Sequence, residues 1–147
     1  MAFFFRGIGG QQTLAYTIGD AVLHSHDAEA STAETSSTKL KTITLTHLLS
    51  PFYTATATLR ISFDIKTVPT GYSVVGRIYR NGSSVGVDKS ASTDTYETKQ
   101  QDLEFSQGDT IELWARAYST TVYVRNFRVL GTLEKLPDDA GFVASNS

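Results

Sequence analysis

The clearest pattern in the chain is the alternation of apolar and polar residues from Thr56 to Lys66. One face of this segment carries five apolar side chains: Ala57, Leu59, Ile61, Phe63 and Ile65. The other face carries Thr58, Arg60, Ser62, Asp64 and Lys66. Alternation with period two indicates a β-strand that is buried on one side. The pattern therefore predicts a central strand of a sheet whose other face meets water.

A second alternating stretch runs from Gln107 to Gly131 and begins with the turn signal Gly108-Asp109. Its apolar positions are Ile111, Leu113, Ala115 and Ala117, and the positions between them are Glu112, Trp114, Arg116 and Tyr118. A short polar break, Ser119–Thr121, precedes a β-branched and aromatic run from Val122 to Leu130. Two such runs around a short break predict a β-hairpin. Trp114 and Tyr118 stand on the face that this hairpin would expose.

Further strands are predicted along the rest of the chain, at Thr13–Leu23, Lys39–Leu49, Tyr72–Arg80, Ser83–Val87 and Tyr96–Phe105. The first is either two short strands around Gly19-Asp20 or one bulged strand. Asn81-Gly82 predicts a two-residue type I′ turn, because both positions need positive φ. No segment shows the apolar spacing of a helix between caps.

The sequence thus predicts an all-β protein, an antiparallel two-sheet β-sandwich of jelly-roll type with about eight strands and an extended N-terminal arm. The predicted units are the arm at residues 1–12, the sandwich domain at 13–132 and a polar C-terminal tail at 133–147.

Composition excludes several kinds of function. Charged residues make up only 19% of the 147 residues, and the net charge is −2, so neither nucleic acid nor an anionic membrane is an expected partner. The chain has no cysteine, which excludes disulfides, thiolate metal sites and cysteine nucleophiles. No apolar run approaches the roughly 18 residues of a membrane-spanning helix. The first residues also lack the pattern of a secretory signal, so none is predicted.

The N-terminal arm carries three consecutive aromatic residues, Phe3, Phe4 and Phe5, before the joint Gly9-Gly10. Leaving three phenylalanines in water is unfavourable. They form either a first strand on the domain's own core or a contact with a neighbouring subunit or host surface.

Catalytic and metal-binding signals are weak. His24 and His26 would share one face of a strand, and His47 could join them, but no further ligand stands at a defined spacing. The expected state is exposed histidines without a metal or cofactor. The carboxylate pairs Asp102/Glu104 and Asp138/Asp139 lie on one strand face and in the tail, where they could not flank a sugar bond. The chain is predicted not to be an enzyme.

Aromatic and arginine side chains remain as the candidate functional surface. The set comprises Arg77, Tyr79, Trp114, Arg116, Tyr118, Tyr123, Arg125 and Phe127. Tyr, Trp and Arg are enriched in the energetic centres of protein interfaces. Three interpretations stay open. The residues pack against the opposite sheet, they form a protein contact centred on Phe3–Phe5, Trp114, Arg116 and Tyr118, or they stack on sugars through Tyr79, Trp114 and Tyr118.

A further group of segments lies within a span of about 55–132: 76–82 (GRIYRNG), Val85-Gly86, 108–114 (GDTIELW) and 123–128 (YVRNFR). In combination these segments resemble β-sandwich modules in structural proteins of tailed viruses, which decorate heads or sit on tail and fibre parts. The resemblance implies a virion protein assembled in the host cytoplasm, and it brings no catalytic residues. We therefore expect a capsid decoration or cement subunit that binds a major capsid or tail protein as a homo-oligomer, with a trimer as the expected form. The alternative is a glycan- or receptor-binding module of a fibre.

Overall fold

The computed structural model describes residues 14–45 and 56–135, and all regular secondary structure in these ranges is β-strand. The strands are β1 (Leu14–His26), β2 (Ala30–Thr32), β3 (Thr38–Thr44), β4 (Thr56–Val68), β5 (Val74–Arg80), β6 (Ser83–Ser84), β7 (Lys89–Ala91), β8 (Glu97–Ser106), β9 (Thr110–Ala117) and β10 (Thr121–Lys135). The predicted all-β class is confirmed. The arm with Phe3, Phe4 and Phe5 and most of the predicted tail lie outside the described residues.

The strands form two antiparallel sheets in a nested order. Sheet I has the order β1-β10-β4-β8, with β2 also paired to β10, and sheet II has the order β3-β9-β5-β6, with β7 also paired to β5. The main pairs are therefore β1 with β10, β3 with β9, β4 with β8 and β5 with β6. Each pair encloses the next, as in one long hairpin wrapped into a barrel-like sandwich. This is the two-sheet jelly-roll architecture that the sequence predicts.

The innermost pair is closed by the turn Asn81-Gly82. Tyr79 lies opposite Ser84 and Arg80 opposite Ser83, so the loop has two residues, and both have positive φ, 52° and 83°. The amide side chain of Asn81 accepts from the backbone N of Thr110 at 2.8 Å, which ties the turn to the first residue of β9. The predicted Asn-Gly hairpin is confirmed.

The predicted hairpin at Gln107–Gly131 is wrong in its pairing. Both strands exist as β9 and β10, but β9 lies in sheet II and β10 in sheet I, and the connection at Ser119 (φ 58°) passes from one sheet to the other. The nested order is the reason, because it sends successive main strands to opposite sheets. The second strand also continues to Lys135, three residues into the predicted tail.

The core lies between the sheets and is built from the alternating inward positions of both. The five apolar residues predicted for one face of β4 are all buried, and Ile61, Phe63 and Ile65 are at most 1% exposed. Facing side chains of sheet II include Ile43, Val74, Ile78, Ile111 and Leu113. β4 is a central strand between β10 and β8, as predicted.

The two sheets come especially close where β5 crosses β4. A Cβ built on Gly76 of β5 would lie 2.9 Å from the ring of Phe63 and 3.3 Å from Ile65. The absence of a side chain at Gly76 therefore makes room for the largest buried side chain of β4.

The outer face of β4 is less solvated than its sequence indicates. Asp64 is only 9% exposed. Its carboxylate accepts hydrogen bonds from Thr98 (2.8 Å), Asn126 (2.9 Å) and Arg125 (3.2 Å). Asn126 has φ 53° at a bulge in β10, and this backbone turn directs its side chain to Asp64. A polar network thus covers the centre of a face that was expected to be wet.

Three local predictions are refined by the structure. The segment Thr13–Leu23 belongs to one bulged strand, β1, with register shifts between Thr17 and Val22 and between Val22 and His24. The predicted loop at residues 24–38 contains the end of β1 and the short β2. The strand predicted at Ser83–Val87 is shortened to β6.

The close approach of Gly76 and Phe63 makes a testable prediction. Gly76→Ala should lower the free energy of unfolding by about 1–3 kcal/mol, because the added methyl overlaps the Phe63 ring. Combining it with Phe63→Leu, which shortens that side chain, should cost less than the sum of the two single changes by about 0.5 kcal/mol or more. Urea unfolding of the four proteins measures this coupling, with Thr58→Ala on the exposed face of β4 as a control. Strictly additive effects would show that the two positions do not share space.

Candidate binding surface

The candidate residues Tyr79, Trp114, Arg116 and Tyr118 gather on the outer face of sheet II. On β9, Leu113, Ala115 and Ala117 point into the core and are at most 2% exposed. Trp114 and Arg116 alternate with them, and Tyr118 follows at the end of the strand. The first interpretation from sequence, that the aromatic and arginine residues pack against the opposite sheet, is therefore wrong for these four side chains. It holds for Phe127, which is fully buried in the core.

Neighbouring β5 adds to the same face. Arg77 lies opposite Trp114, and Tyr79 lies opposite Glu112. Residues that face each other across an antiparallel pair project from the same side of a sheet. We call the set Arg77, Tyr79, Trp114, Arg116 and Tyr118 the aromatic–arginine surface.

Tyr79 and Trp114 form a stacked pair at the centre of this surface. Their ring centroids are 4.4 Å apart, and the ring planes differ by 13°. The two residues are diagonal neighbours on adjacent strands, within reach of large side chains. One face of each ring is therefore packed against the other ring, and the contact restricts the movement of both. Stacking of this kind contributes about 0.5–1.5 kcal/mol beyond the buried area.

Glu112 fixes the orientation of the indole. Its carboxylate accepts a hydrogen bond from Trp114 Nε1 at 2.8 Å and one from Thr110 Oγ1 at 3.0 Å. Glu112 is only 5% exposed, although its position in the alternation predicts a solvated charge. The large side chains on the adjacent positions cover it. Sequence reasoning missed this role, and the only signal for it is the spacing of two between a carboxylate and a tryptophan on one strand face.

Two arginines of the surface converge on one carboxylate. Arg116 Nη2 lies 3.1 Å from Asp88, and Arg77 Nη1 lies 3.5 Å from the other oxygen of the same side chain. Asp88 lies in the loop between β6 and β7, and no sequence pattern singles it out. The hydrogen bonds to Tyr118 and Asp88 raise the pKa of Arg116 above its already high ordinary value.

Each guanidinium is also anchored by a neutral acceptor. Arg77 Nε donates to the backbone oxygen of Gly86 at 2.7 Å, and Arg116 Nε donates to the Tyr118 hydroxyl at 2.7 Å. The Arg116 guanidinium also lies 5.9 Å from the centre of the Tyr118 ring. These contacts hold both cations at fixed positions, while Tyr118 itself remains 47% exposed.

A second cluster of aromatic and charged residues lies on sheet I. Arg125 lies 4.0 Å and Lys66 lies 4.5 Å from the centre of the Tyr96 ring. The Tyr96 hydroxyl donates to Glu29, and burial together with this carboxylate raises the pKa of Tyr96. Arg125 also pairs with Asp64. The cluster includes its own counter-charges and ties the loop before β2 to sheet I.

The histidines do not gather into a site in the described part of the chain. His24 and His26 lie opposite Val129 and Phe127 on the edge strand β1, and His47 lies outside the described residues. Within residues 14–45 and 56–135, no group of three or more His, Asp or Glu side chains is arranged to hold a metal ion.

Asp102 is paired with Arg60 on the outer face of sheet I, at 2.9 Å. Nor do the same two ranges contain a helix long and apolar enough to cross a membrane.

Comparison with known proteins gives only a general likeness of fold. No protein-family model and no curated protein matches the sequence. Among solved structures, the chain is similar to the CBM22-1 xylan-binding domain of Paenibacillus barcinonensis Xyn10C, with 12% identity and a TM-score of 0.42, over 77% of this chain and 97% of that one. It is also similar to a structure of desmodium yellow mottle tymovirus, with 9% identity and a TM-score of 0.31, over 95% and 98% of the two chains. Likeness at this level carries no information about function.

The role of Glu112 can be tested through Trp114, the single tryptophan of the chain. Glu112→Ala removes the acceptor of the indole N–H, so the quenching of Trp114 fluorescence by acrylamide should increase by about twofold as the ring gains freedom. Glu112→Gln keeps an oxygen acceptor at the same position and should leave quenching close to that of the unchanged protein. Glu104→Ala, on sheet I, controls for the loss of a carboxylate elsewhere. Equal quenching in the alanine and glutamine variants would contradict the assignment.

Proposed function

We propose that the protein is a non-enzymatic virion structural subunit that decorates or cements an assembled capsid or tail lattice through the aromatic–arginine surface. The observation that carries this proposal is the Tyr79–Trp114 stack on the outer face of a sheet, with the Trp114 indole bonded to the buried Glu112. The stack and the hydrogen bond to Glu112 restrict Trp114 more than is usual for a side chain on the outer face of a sheet. Such order favours a role in recognition.

The composition and rigidity of the surface support a protein partner. Tyr, Trp and Arg are the residues that dominate the binding energy of protein interfaces. Binding orders side chains at an entropic cost of about 0.5–1.5 kcal/mol each, and this cost is smaller where they are already fixed. Trp114 and Tyr79 are fixed by their stack, and Arg77 and Arg116 by their anchored Nε groups. The surface is therefore prepared for contact before a partner arrives.

The same geometry disfavours sugar stacking. A sugar ring needs an open aromatic face, and the stack uses one face of Tyr79 and one of Trp114. The Tyr118 ring is paired with the Arg116 guanidinium. These contacts occupy one face of each of the three rings, and so reduce the aromatic area that is open to a sugar.

The virion context rests on the sequence resemblance over residues 55–132. Jelly-roll sandwiches serve both in viral capsids and in lectins, so the fold is compatible with the proposal without selecting it. A subunit that binds the assembled lattice would be stabilised there by mass action. We further propose that Phe3, Phe4 and Phe5 provide a second contact, and that a trimer gives each copy the same contacts by closed symmetry.

Co-sedimentation with particles tests the proposed function. Purified protein is mixed with capsids or tails assembled from a genome that lacks this gene, and the particles are pelleted. We expect saturable binding, weakened about thirtyfold or more by Trp114→Ala and by Tyr79→Ala, because truncation of a central aromatic residue removes about 2 kcal/mol or more. Tyr123→Ala, on the outer face of sheet I, is the matched aromatic control and should bind normally. Thermal unfolding checks that all three variants remain folded.

Two results would contradict the proposal. One is the absence of saturable binding to both kinds of particle. The other is saturable sugar binding at micromolar to millimolar concentration in a Trp114 fluorescence titration, lost in Trp114→Ala, which would favour a glycan-binding module instead.

A further inference from the structure

We infer that Arg77 and Arg116 form a paired-arginine site for a carboxylate of the partner, so that the surface fits an acidic protein segment. This inference deepens the proposed function, and it rests on the aromatic–arginine surface being the contact surface. It adds the chemistry of the partner, which the aromatic stack does not specify.

The two guanidinium groups share one counter-ion. Asp88 supplies a single negative charge to two cations, at 3.1 Å from Arg116 and 3.5 Å from Arg77. The other carboxylate on this face, Glu112, is committed to Trp114 and Thr110. The same face also carries Lys39, which is exposed and lies directly opposite Trp114 across the β3–β9 pair. Three cations therefore stand against two carboxylates on this face, although the whole chain has a net charge of −2. A partner that brings negative charge would complement this excess of positive charge.

Both arginines have donors to spare. A guanidinium has five N–H groups in a rigid fork. Each arginine uses its Nε on a neutral acceptor and one terminal nitrogen on Asp88. The other terminal nitrogen, Nη2 of Arg77 and Nη1 of Arg116, has no partner among residues 14–45 and 56–135. Two anchored forks with free N–H groups match the planar, bidentate geometry of a carboxylate.

The arginines are also accessible. The side chain of Arg77 is 40% exposed and that of Arg116 is 26% exposed. Arg77 lies directly opposite Trp114 across the β5–β9 pair. A partner segment could therefore contact the aromatic stack and place a carboxylate on the arginines at the same time.

Asp88 occupies the position that a partner carboxylate would share. Its side chain is 44% exposed and lies in a loop, whereas both arginines project from strands. A second carboxylate near the two arginines would be repelled by Asp88 and attracted by the cations. Removing the charge of Asp88 should therefore strengthen the binding of an acidic ligand, while a purely structural ion pair predicts no such gain.

A short acidic peptide serves as the probe. A capped hexapeptide that alternates glutamate with serine is titrated at low ionic strength, and Trp114 fluorescence reports its binding. The matched control peptide carries glutamine in place of glutamate. We expect saturable binding of the acidic peptide alone, weakened about fivefold or more by Arg77→Gln and by Arg116→Gln. Asp88→Asn should strengthen it about threefold, because a like charge has been removed.

Arg60→Gln provides the control for a general loss of positive charge. Arg60 also pairs with two carboxylates, Asp102 and Asp20, but on the outer face of sheet I. This variant should bind the acidic peptide as the unchanged protein does. Thermal unfolding of each variant shows that the fold is kept.

Several outcomes would overturn the inference. They are equal binding of the two peptides, equal weakening by Arg60→Gln and Arg77→Gln, no gain from Asp88→Asn, and binding of inorganic phosphate without binding of the acidic peptide. Failure here is distinct from failure of the proposed function. Particles that bind through Trp114 while the acidic peptide does not bind would remove only the paired-arginine site. Peptide binding without particle binding would leave the site and remove the virion role.

Discussion

The nested antiparallel pairing outward from the Asn81-Gly82 turn is the constraint on which the rest of the molecule depends. It joins β5 to β6, β4 to β8, β3 to β9 and β1 to β10, and so alternates the main strands between the two sheets. Because successive strands face each other across the core, their inward positions must be apolar in both sheets. Where β4 and β5 meet, Gly76 leaves space for the ring of Phe63. Since β5 and β9 are neighbours in sheet II and side chains alternate along a strand, every second residue of both strands lies on the same outer face. The aromatic–arginine surface is thus a direct product of the topology.

What the sequence predicted well was local. The face of β4 and the Asn-Gly turn follow from alternation and from the φ angles that the turn needs, and both are determined by residues adjacent in the chain. The pairing partners of β9 and β10 could not be predicted from residues adjacent in the chain. Both strands alternate cleanly and are separated by a short polar break, which also fits a hairpin. The choice between a hairpin and a passage to the other sheet depends on strands far away in the sequence.

The candidate surface likewise has features that local alternation predicts and features that it does not. Alternation alone assigned Trp114, Arg116 and Tyr118 to one face of a strand. It also predicted that this face is exposed, but two large aromatic side chains on it left packing against the opposite sheet open as an alternative. The burial of Glu112 and the convergence of Arg77 and Arg116 on Asp88 depend on contacts between strands and a loop. No spacing of residues along the sequence predicts such contacts. The two outer faces also differ in their charges. On sheet I, Arg125 and Asp64 are matched within a network, whereas on sheet II two arginines share one aspartate.

The outermost pair of the nest has a consequence for how the chain folds. Leu14 lies opposite Lys135, so the first described strand pairs with the last one along its length. Closing that pair requires the two most distant parts of the described chain to meet, whereas the turn at Asn81-Gly82 closes over two residues. Loop-closure entropy therefore favours growth from the inner hairpin outward, and proteins dominated by such distant contacts fold slowly. Until β1 is in place, the edge of β10 that it covers is open to pairing with other chains.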